Sequence, residues 1–319
     1  MVMTPSTSTS TSATPIRFRV VSIEDGMLLR QLLCKRLHVT PALAAEMIRA
    51  GGVYVGSVRI CVPTVRVSEG ERVTVYRAAA EIPPLEPGAL RLLHRDEACV
   101  IVDKPHGTPA AATRAANRGT LAHALVQRLT QEGVLRPYVG LVHALPAAGA
   151  GLALYTIRGQ ATESFYQDFA ALPMQRSYRV RLRGRFPGPS IECNAPLGQS
   201  PTGSWRLAPS RGAGEPREPR PPVLAHTRFV KLAELEEETL ASVELTAPSW
   251  EAIRLHAVAL GLPLVGDGPQ ESGILCLLAH TLAFTHPHTG AVVQARASLP
   301  AWAAAPGEGE PVPADLSEA

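Results

Sequence analysis

His143 is the one ionisable side chain in the central run from Gly140 to Arg158 that is neither a phenol nor a guanidinium; the stretch reads "GLVHALPAAGAGLALYTI". Acid–base or nucleophilic chemistry needs two or more groups within hydrogen-bond reach of one another. Between Glu132 and Glu163 there is no Asp or Glu at all. His143 therefore reads as a structural, hydrogen-bonding histidine. His286-Pro287-His288 has the look of a metal-binding pair, but two histidines in a turn without a third ligand read as a turn. The five cysteines (Cys34, Cys61, Cys99, Cys193, Cys276) are scattered and form no Cys-x-x-Cys pair, which argues for a reducing compartment and against a disulfide framework or structural zinc. No metal and no cofactor is implied.

The elements around this run are legible from pattern. Residues 16–24 ("IRFRVVSIE") alternate and predict a strand, and "GMLLRQLLCKRL" spaces its leucines for an amphipathic helix with Arg30, Lys35 and Arg36 outward. Thr40 is placed to cap a second helix that begins at Pro41 and stops at Gly51-Gly52. "VYVGSVRI" and "RVSEGERVTVYR" predict short strands. Further on, Cys99–Val102 reads as a buried strand, and "GTLAHALVQRLTQEGV" and "ATESFYQDFAAL" read as helices. "RSYRVRLRGRF" alternates strictly, with Tyr178, Val180 and Leu182 on one face and Ser177, Arg179, Arg181, Arg183 and Arg185 on the other. "TRFVKLAEL" and "TLASVELT" predict strands, "WEAIRLHAVALG" a helix, and "LAHTLAFTHPHTGAVVQA" a closing strand pair. Strands outnumber helices and often follow one another directly, so the fold class is α+β with a largely antiparallel, mixed sheet.

A hydrophobic content of 45% over 319 residues suits a globular chain, and no apolar run is long enough for a membrane span. The net charge is only +3, but it is uneven. From Met27 to Arg77 there are eight basic residues (Arg30, Lys35, Arg36, Arg49, Arg59, Arg66, Arg72, Arg77) against Glu46, Glu69 and Glu71, or +5, leaving about −2 for the rest. Such a block suits a polyanionic partner.

This basic block resembles the alpha-L RNA-binding domain through "LLRQLLCKRLHVTPALAAEMIRAGGVYVGSVRI", although that family usually has Asn-Gly where Gly56-Ser57 stands. From residue 90 onward the chain resembles the RluA-type RNA pseudouridine synthases. The matching segments are "LLHRDEACVIVDKPHG", "GTLAHAL", "RSYRVRLRG", "AHTRFVKL", "IRLHAVALGLPLVGD" and "LLAHTLAFTHPHTG", in order. The resemblance implies isomerisation of uridine in RNA, with Arg176 in a lysine position, Tyr178 as the aromatic that stacks on the base, or equally an ordinary core tyrosine of a half-buried strand, and Arg254 as an active-site arginine. Lys104 would pack beneath and orient the site loop.

The family consensus His-Arg-Leu-Asp-x-x-Thr-Ser-Gly falls on His143–Gly151, where the arginine has become Ala144 and the required aspartate Pro146. Breaking a glycosidic bond without water requires a carboxylate, and proline offers neither charge nor N–H. The run Thr-Gly-Arg-x-His-Gln-Ile-Arg has become Ala247–Arg254, keeping only Ile253 and the last arginine. Lacking its aspartate, Arg254 is expected to meet a phosphate, water or Glu251. Asp103, Asp267 and Glu251 are the carboxylates that could substitute, the two aspartates each having a plausible turn role.

The resulting expectation is a monomeric, cytoplasmic RNA-binding protein on a synthase scaffold, acting on ribosomal or transfer RNA with catalysis lost or weakened. Arg30, Lys35, Arg36, Arg49, Arg59, Arg176 and Arg254 are its expected RNA contacts. The expected organisation is a disordered Ser/Thr-rich tail (1–15), an alpha-L-like domain (16–78), a Pro-rich linker (79–89), a synthase-like domain (90–303) and a disordered tail (304–319). The alternative is an active synthase using a displaced carboxylate.

Overall fold

The computed structural model describes residues 15–77, 85–143, 145–158, 174–200, 203–208, 221–247, 249–268 and 274–308. The helix expected in "ATESFYQDFAAL", most of the arginine-rich loop after Arg206, and Ala144 and Pro248 lie outside them. Two compact units result: residues 15–90 with 108–141, and residues 91–107 with 142–308.

In the first unit the leucine spacing produces α1 (Leu29–Leu37), whose Leu29, Leu32, Leu33 and Leu37 are all buried. Its C-cap His38 takes a left-handed φ of 53°. The Thr40 hydroxyl then caps α2 (Pro41–Arg49) by accepting from the Leu43 N–H. Ala44, Met47 and Ile48 of α2 close over α1 against a four-stranded sheet in the order β1-β4-β2-β3. Those strands are β1 (Ile16–Arg19), β2 (Val53–Val55), β3 (Val58–Ile60) and β4 (Arg72–Val75). The strand expected over 16–24 stops at Arg19, because Ser22–Glu24 turn into a 3-10 helix that carries Glu24 inward.

Glu24 is 1% exposed and takes up two of the cations expected to face outward: Arg36 donates to it at 2.8 Å and Lys35 lies at 3.3 Å. The Arg36 hydrogen bond, opposed by burial and helped by the Val21 N–H, holds the Glu24 carboxyl at about 2, below its ordinary value. A depressed carboxyl stabilises the fold above its unfolded value and loses that contribution as pH falls towards 2. Glu24→Gln is expected to cost about 1 to 2 kcal/mol at pH 7, with the gap to wild type closing near pH 2 in denaturant titrations. An equal gap at both pH values would refute the ionic role.

Residues 108–141 pack on this module and contribute α3 (Leu121–Gln131), capped by Thr120, and the two-residue strand β7 (Gly140–Leu141). The Arg59 guanidinium donates to the carbonyls of Gly51 (2.9 Å) and Thr113 and to the Tyr54 hydroxyl (2.5 Å), while Tyr54 donates to the Arg114 carbonyl. Asn117 donates its N–H to the Ala50 carbonyl, and Arg118 pairs with Glu46. Arg59 thus fastens two segments of one unit.

In the second unit the strands run β10-β13-β14-β9-β15-β8-β6-β5, with β16 beside β15. These are β5 (Arg91–Arg95), β6 (Cys99–Lys104), β8 (Ala150–Thr156), β9 (Gln175–Arg183), β10 (Ser190–Cys193), β13 (His226–Glu234), β14 (Glu238–Thr246), β15 (Leu277–Thr285) and β16 (Val292–Arg296). Every described pairing among them is antiparallel except β8 with β15. A side pair, β11 (Leu197–Gln199) with β12 (Trp205–Leu207), and helix α4 (Glu251–Ala259) cover one end of the sheet's core.

The β9 alternation holds for its apolar face: Tyr178, Val180 and Leu182 are buried. The arginine face is solvated only at its end, where Arg183 and Arg185 are exposed. Arg179 forms a forked pair with Glu308 (2.7 Å to each oxygen), and Arg181 donates to the Trp302 carbonyl. Residues 304–308, expected to trail freely, therefore fold back onto β9. The Arg179 guanidinium and the Ala305 N–H hold Glu308 at about 2. Among the described residues no helix is long and apolar enough to cross a membrane.

Candidate active site

The loop that leads into β8 starts at Val142, whose N–H bonds to the Leu154 carbonyl, and tightens where Gly149 donates to the Pro146 carbonyl at 3.1 Å. Pro146 is buried in this turn. Beneath it lies Lys104, the last residue of β6, 1% exposed. Its ammonium donates to the carbonyls of Pro105 (3.1 Å), Ala147 (3.1 Å) and Gly149, so the loop is gripped by its backbone. Burial pulls Lys104 down to about 7.

His143 points back along the strand, with Nε2 at 3.1 Å from the Leu152 carbonyl. A carbonyl only accepts, so Nε2 carries the proton and Nδ1 keeps its lone pair. That Nδ1 is buried without a hydrogen-bond partner. Burial, and then the charge of Arg176, hold His143 down to about 4, so it is neutral at pH 7. Arg176 also acts on Tyr178: burial pushes the phenol up, and the guanidinium beside it pulls part of the way back. The structure thus gathers His143, Arg176 and Tyr178. Arg176 is held by the Ala247 carbonyl at 3.0 Å, just ahead of α4, while its Nε is buried and unpartnered.

Arg254, on α4, lies 3.8 Å from Asp267; of the partners expected for it, a phosphate, water or Glu251, Glu251 is not the one it pairs with. Glu251 is one helical turn ahead, buried, with the Ser249 hydroxyl 3.5 Å away. At 3.8 Å the Asp267 contact is loose, and the Arg254 Nε is buried without a partner. Asp103, given a turn role from sequence, is instead within β6, beside Arg91 (3.6 Å) and accepting from the Ser298 N–H. Of the basic residues in the N-terminal block, Lys35 and Arg36 share Glu24 and Arg59 pins Thr113, whereas Arg49 is exposed and Arg30 half-buried. Glu24 and Glu308 escaped the sequence reading because each acts on a cation distant from it in pattern.

A large mixed sheet, antiparallel except at one strand pair, with the loop before β8 set over a buried lysine, defines a pseudouridine synthase scaffold. A human RNA pseudouridylate synthase domain containing 1 structure shares this fold, with a TM-score of 0.54 at 19% identity over 68% of this chain and 86% of that one. No protein-family model matches the sequence. It is 27% identical over 247 residues to an uncharacterised RNA pseudouridine synthase, YlyB, of Bacillus subtilis, covering 74% of this chain and 78% of the relative. It is 28% identical over 218 residues to the dual-specificity RNA pseudouridine synthase RluA of Haemophilus influenzae (65% and 92%). It is also 25% identical over 313 residues to the ribosomal large subunit pseudouridine synthase C of Escherichia coli (88% and 92%). The fold and these relatives together make the chain similar to RNA pseudouridine synthases of the RluA type.

Proposed function

We propose that this protein binds RNA on a synthase scaffold in which isomerisation has been lost or greatly weakened. One observation carries the reading: Pro146, which the family resemblance aligns with the reactive aspartate, is buried in the loop turn and brings no carboxylate. Nothing in the loop replaces the carboxylate. His143 is neutral, and its one N–H is committed to a backbone carbonyl. Arg176, beside His143, and Arg254, beside Asp267, each keep a buried Nε without a hydrogen-bond partner, which suits contact with a phosphate or base carbonyl. The RNA and ribosomal large subunit synthases among the relatives support RNA as the partner; ribosomal or transfer RNA, met in the cytoplasm, is the partner this reading proposes.

A second reading is favoured by one contact. Asp267 is the carboxylate nearest to Arg254, and a displaced aspartate there could serve a surviving isomerase. Purified protein incubated with total RNA from a strain lacking it, followed by pseudouridine mapping, separates the two. No new site is expected, and any site-specific product sinks the first reading.

RNA binding has its own test. Affinity should fall steeply with salt, and the double variant Arg30→Glu, Arg49→Glu should bind more weakly with a log–log salt slope shallower by about two. Salt-independent binding by the wild type would remove the RNA reading altogether.

A further inference from the structure

The turn between β5 and β6 gathers groups that the RNA reading does not use. Asp96 sits at its centre, and one carboxylate oxygen, Oδ1, accepts the N–H groups of Ala98 (2.7 Å) and Cys99 (2.8 Å). The other oxygen, Oδ2, faces three side chains: His94 Nε2 at 2.9 Å, His286 Nε2 at 3.2 Å and Cys99 Sγ at 3.5 Å. Burial pushes Asp96 up but is outweighed by the two N–H groups and His94, leaving the carboxyl at about 2 and ionised. A fixed anion with imidazole and thiol beside it is a borderline-soft donor set.

The two histidines are not equivalent. His286 Nδ1 accepts the N–H groups of His288 (3.2 Å) and Thr289 (3.1 Å), so its proton is on Nε2, 3.2 Å from Asp96 Oδ2 but outside hydrogen-bond geometry with it. It supports the carboxylate by proximity and cannot ligate through Nε2 without becoming an anion. His94 has no such restraint, and its side chain is 29% exposed, open to an ion from solvent.

We propose that His94 Nε2, Asp96 Oδ2 and Cys99 Sγ form a three-residue site for a zinc-class divalent cation, with His286 orienting the carboxylate and water completing the shell. The three ligand atoms all lie within 4.8 Å of one another. Tetrahedral zinc with bonds of about 2.0 Å to N or O and about 2.3 Å to S places its ligands roughly 3.3 to 3.7 Å apart. The observed 2.9 and 3.5 Å therefore need only a small opening of the turn. Nitrogen, oxygen and sulfur together select zinc or cobalt over magnesium or calcium. Without metal, burial and then Asp96 push the Cys99 thiol up, and it donates to the carboxylate. On coordination the sulfur exchanges that proton for the metal, and the proton leaves to solvent. The His-Pro-His turn is then no metal pair itself: His286 supports the site, and His288, exposed, stays outside it.

The test uses the full chain, stripped by a chelator and dialysed, titrated with zinc by calorimetry and with cobalt(II) by absorption. One equivalent per chain is expected, with a thiolate-to-cobalt charge-transfer band in the near ultraviolet. Cys99→Ser, which keeps the packing, should abolish the band, and His94→Gln should abolish binding of one equivalent. His286→Gln should weaken zinc by about ten- to a hundredfold as an outer-shell change, and His288→Ala should leave it unchanged. Should Cys99→Ser fail to fold, His94→Gln, altering a part-exposed side chain, decides alone. Absence of saturable binding by the wild type overturns the proposal, as does binding that survives both ligand variants or is lost in His288→Ala. The cluster is then only a hydrogen-bonded turn.

Discussion

Gly151→Ala is expected to cost at least about 4 kcal/mol, a large part of the 5 to 15 kcal/mol that holds a typical domain folded. Gly151, the second residue of β8, has φ +103°, where L side chains are strained, and a Cβ there would lie 2.2 Å from the Ala279 carbonyl oxygen and 2.8 Å from the Ala279 nitrogen. Both obstacles are backbone, at the parallel junction that pairs Ala279 with Gly151. Neither can rotate aside, so β8 and β15 must part. Gly107→Ala is the control: its φ is +80°, but nothing lies within 4 Å of the added atom. Conformation alone then costs about 1 to 2 kcal/mol. Denaturant titration of the two variants measures the difference, and equal costs would show that the clash is relieved by some other shift. Gly151 is the last residue of the degenerate run that begins at His143. Its retention beside Pro146 follows from strand packing, which persists whether or not the loop performs chemistry.

What could be read in advance divides along the same line. Local signals survived intact: the leucines of α1, the Thr40 cap and the two-faced alternation of β9 each depend on neighbours a few residues away. Alternation tells which residues share a face but not what covers that face. Arg179 and Arg181 were placed correctly on the polar side of β9, yet the Ala- and Pro-rich segment from Ala297 to Glu308, with no periodicity to announce it, lies over them. Glu24 likewise sits where an alternating strand was expected, and only the folded chain puts its carboxylate under Arg36. In the site, Pro146 was legible because one position of a matched run decides it. The tautomer of His143 and the partner of Arg254 were not, because Leu152 and Asp267 enter through tertiary packing.

The stability of the protein is expected to rise by about 2 kcal/mol between pH 7 and pH 9 through Lys104, and Lys104→Met should remove that rise. The sign follows from where the proton sits. Burial brings Lys104 in the native state down to about 7, while the unfolded chain keeps the ordinary value of 10.5. Between those values the unfolded state holds a proton that the native state has shed, so raising the pH favours the native state until the unfolded lysine also titrates. Methionine keeps the length of the apolar stem and carries no proton, so its curve lacks this component. Every other ionisable group is common to both proteins and cancels in the difference. Denaturant midpoints at pH 7, 8 and 9 for the pair provide the measurement, and parallel curves would show that Lys104 stays fully charged when buried. The carbonyls of Pro105, Ala147 and Gly149 favour the ammonium, and burial opposes it. In a loop that carries Pro146 and no acid of its own, no nearby loop carboxylate adds to the side of the charge. The lysine that grips the loop is thereby left about half protonated near pH 7.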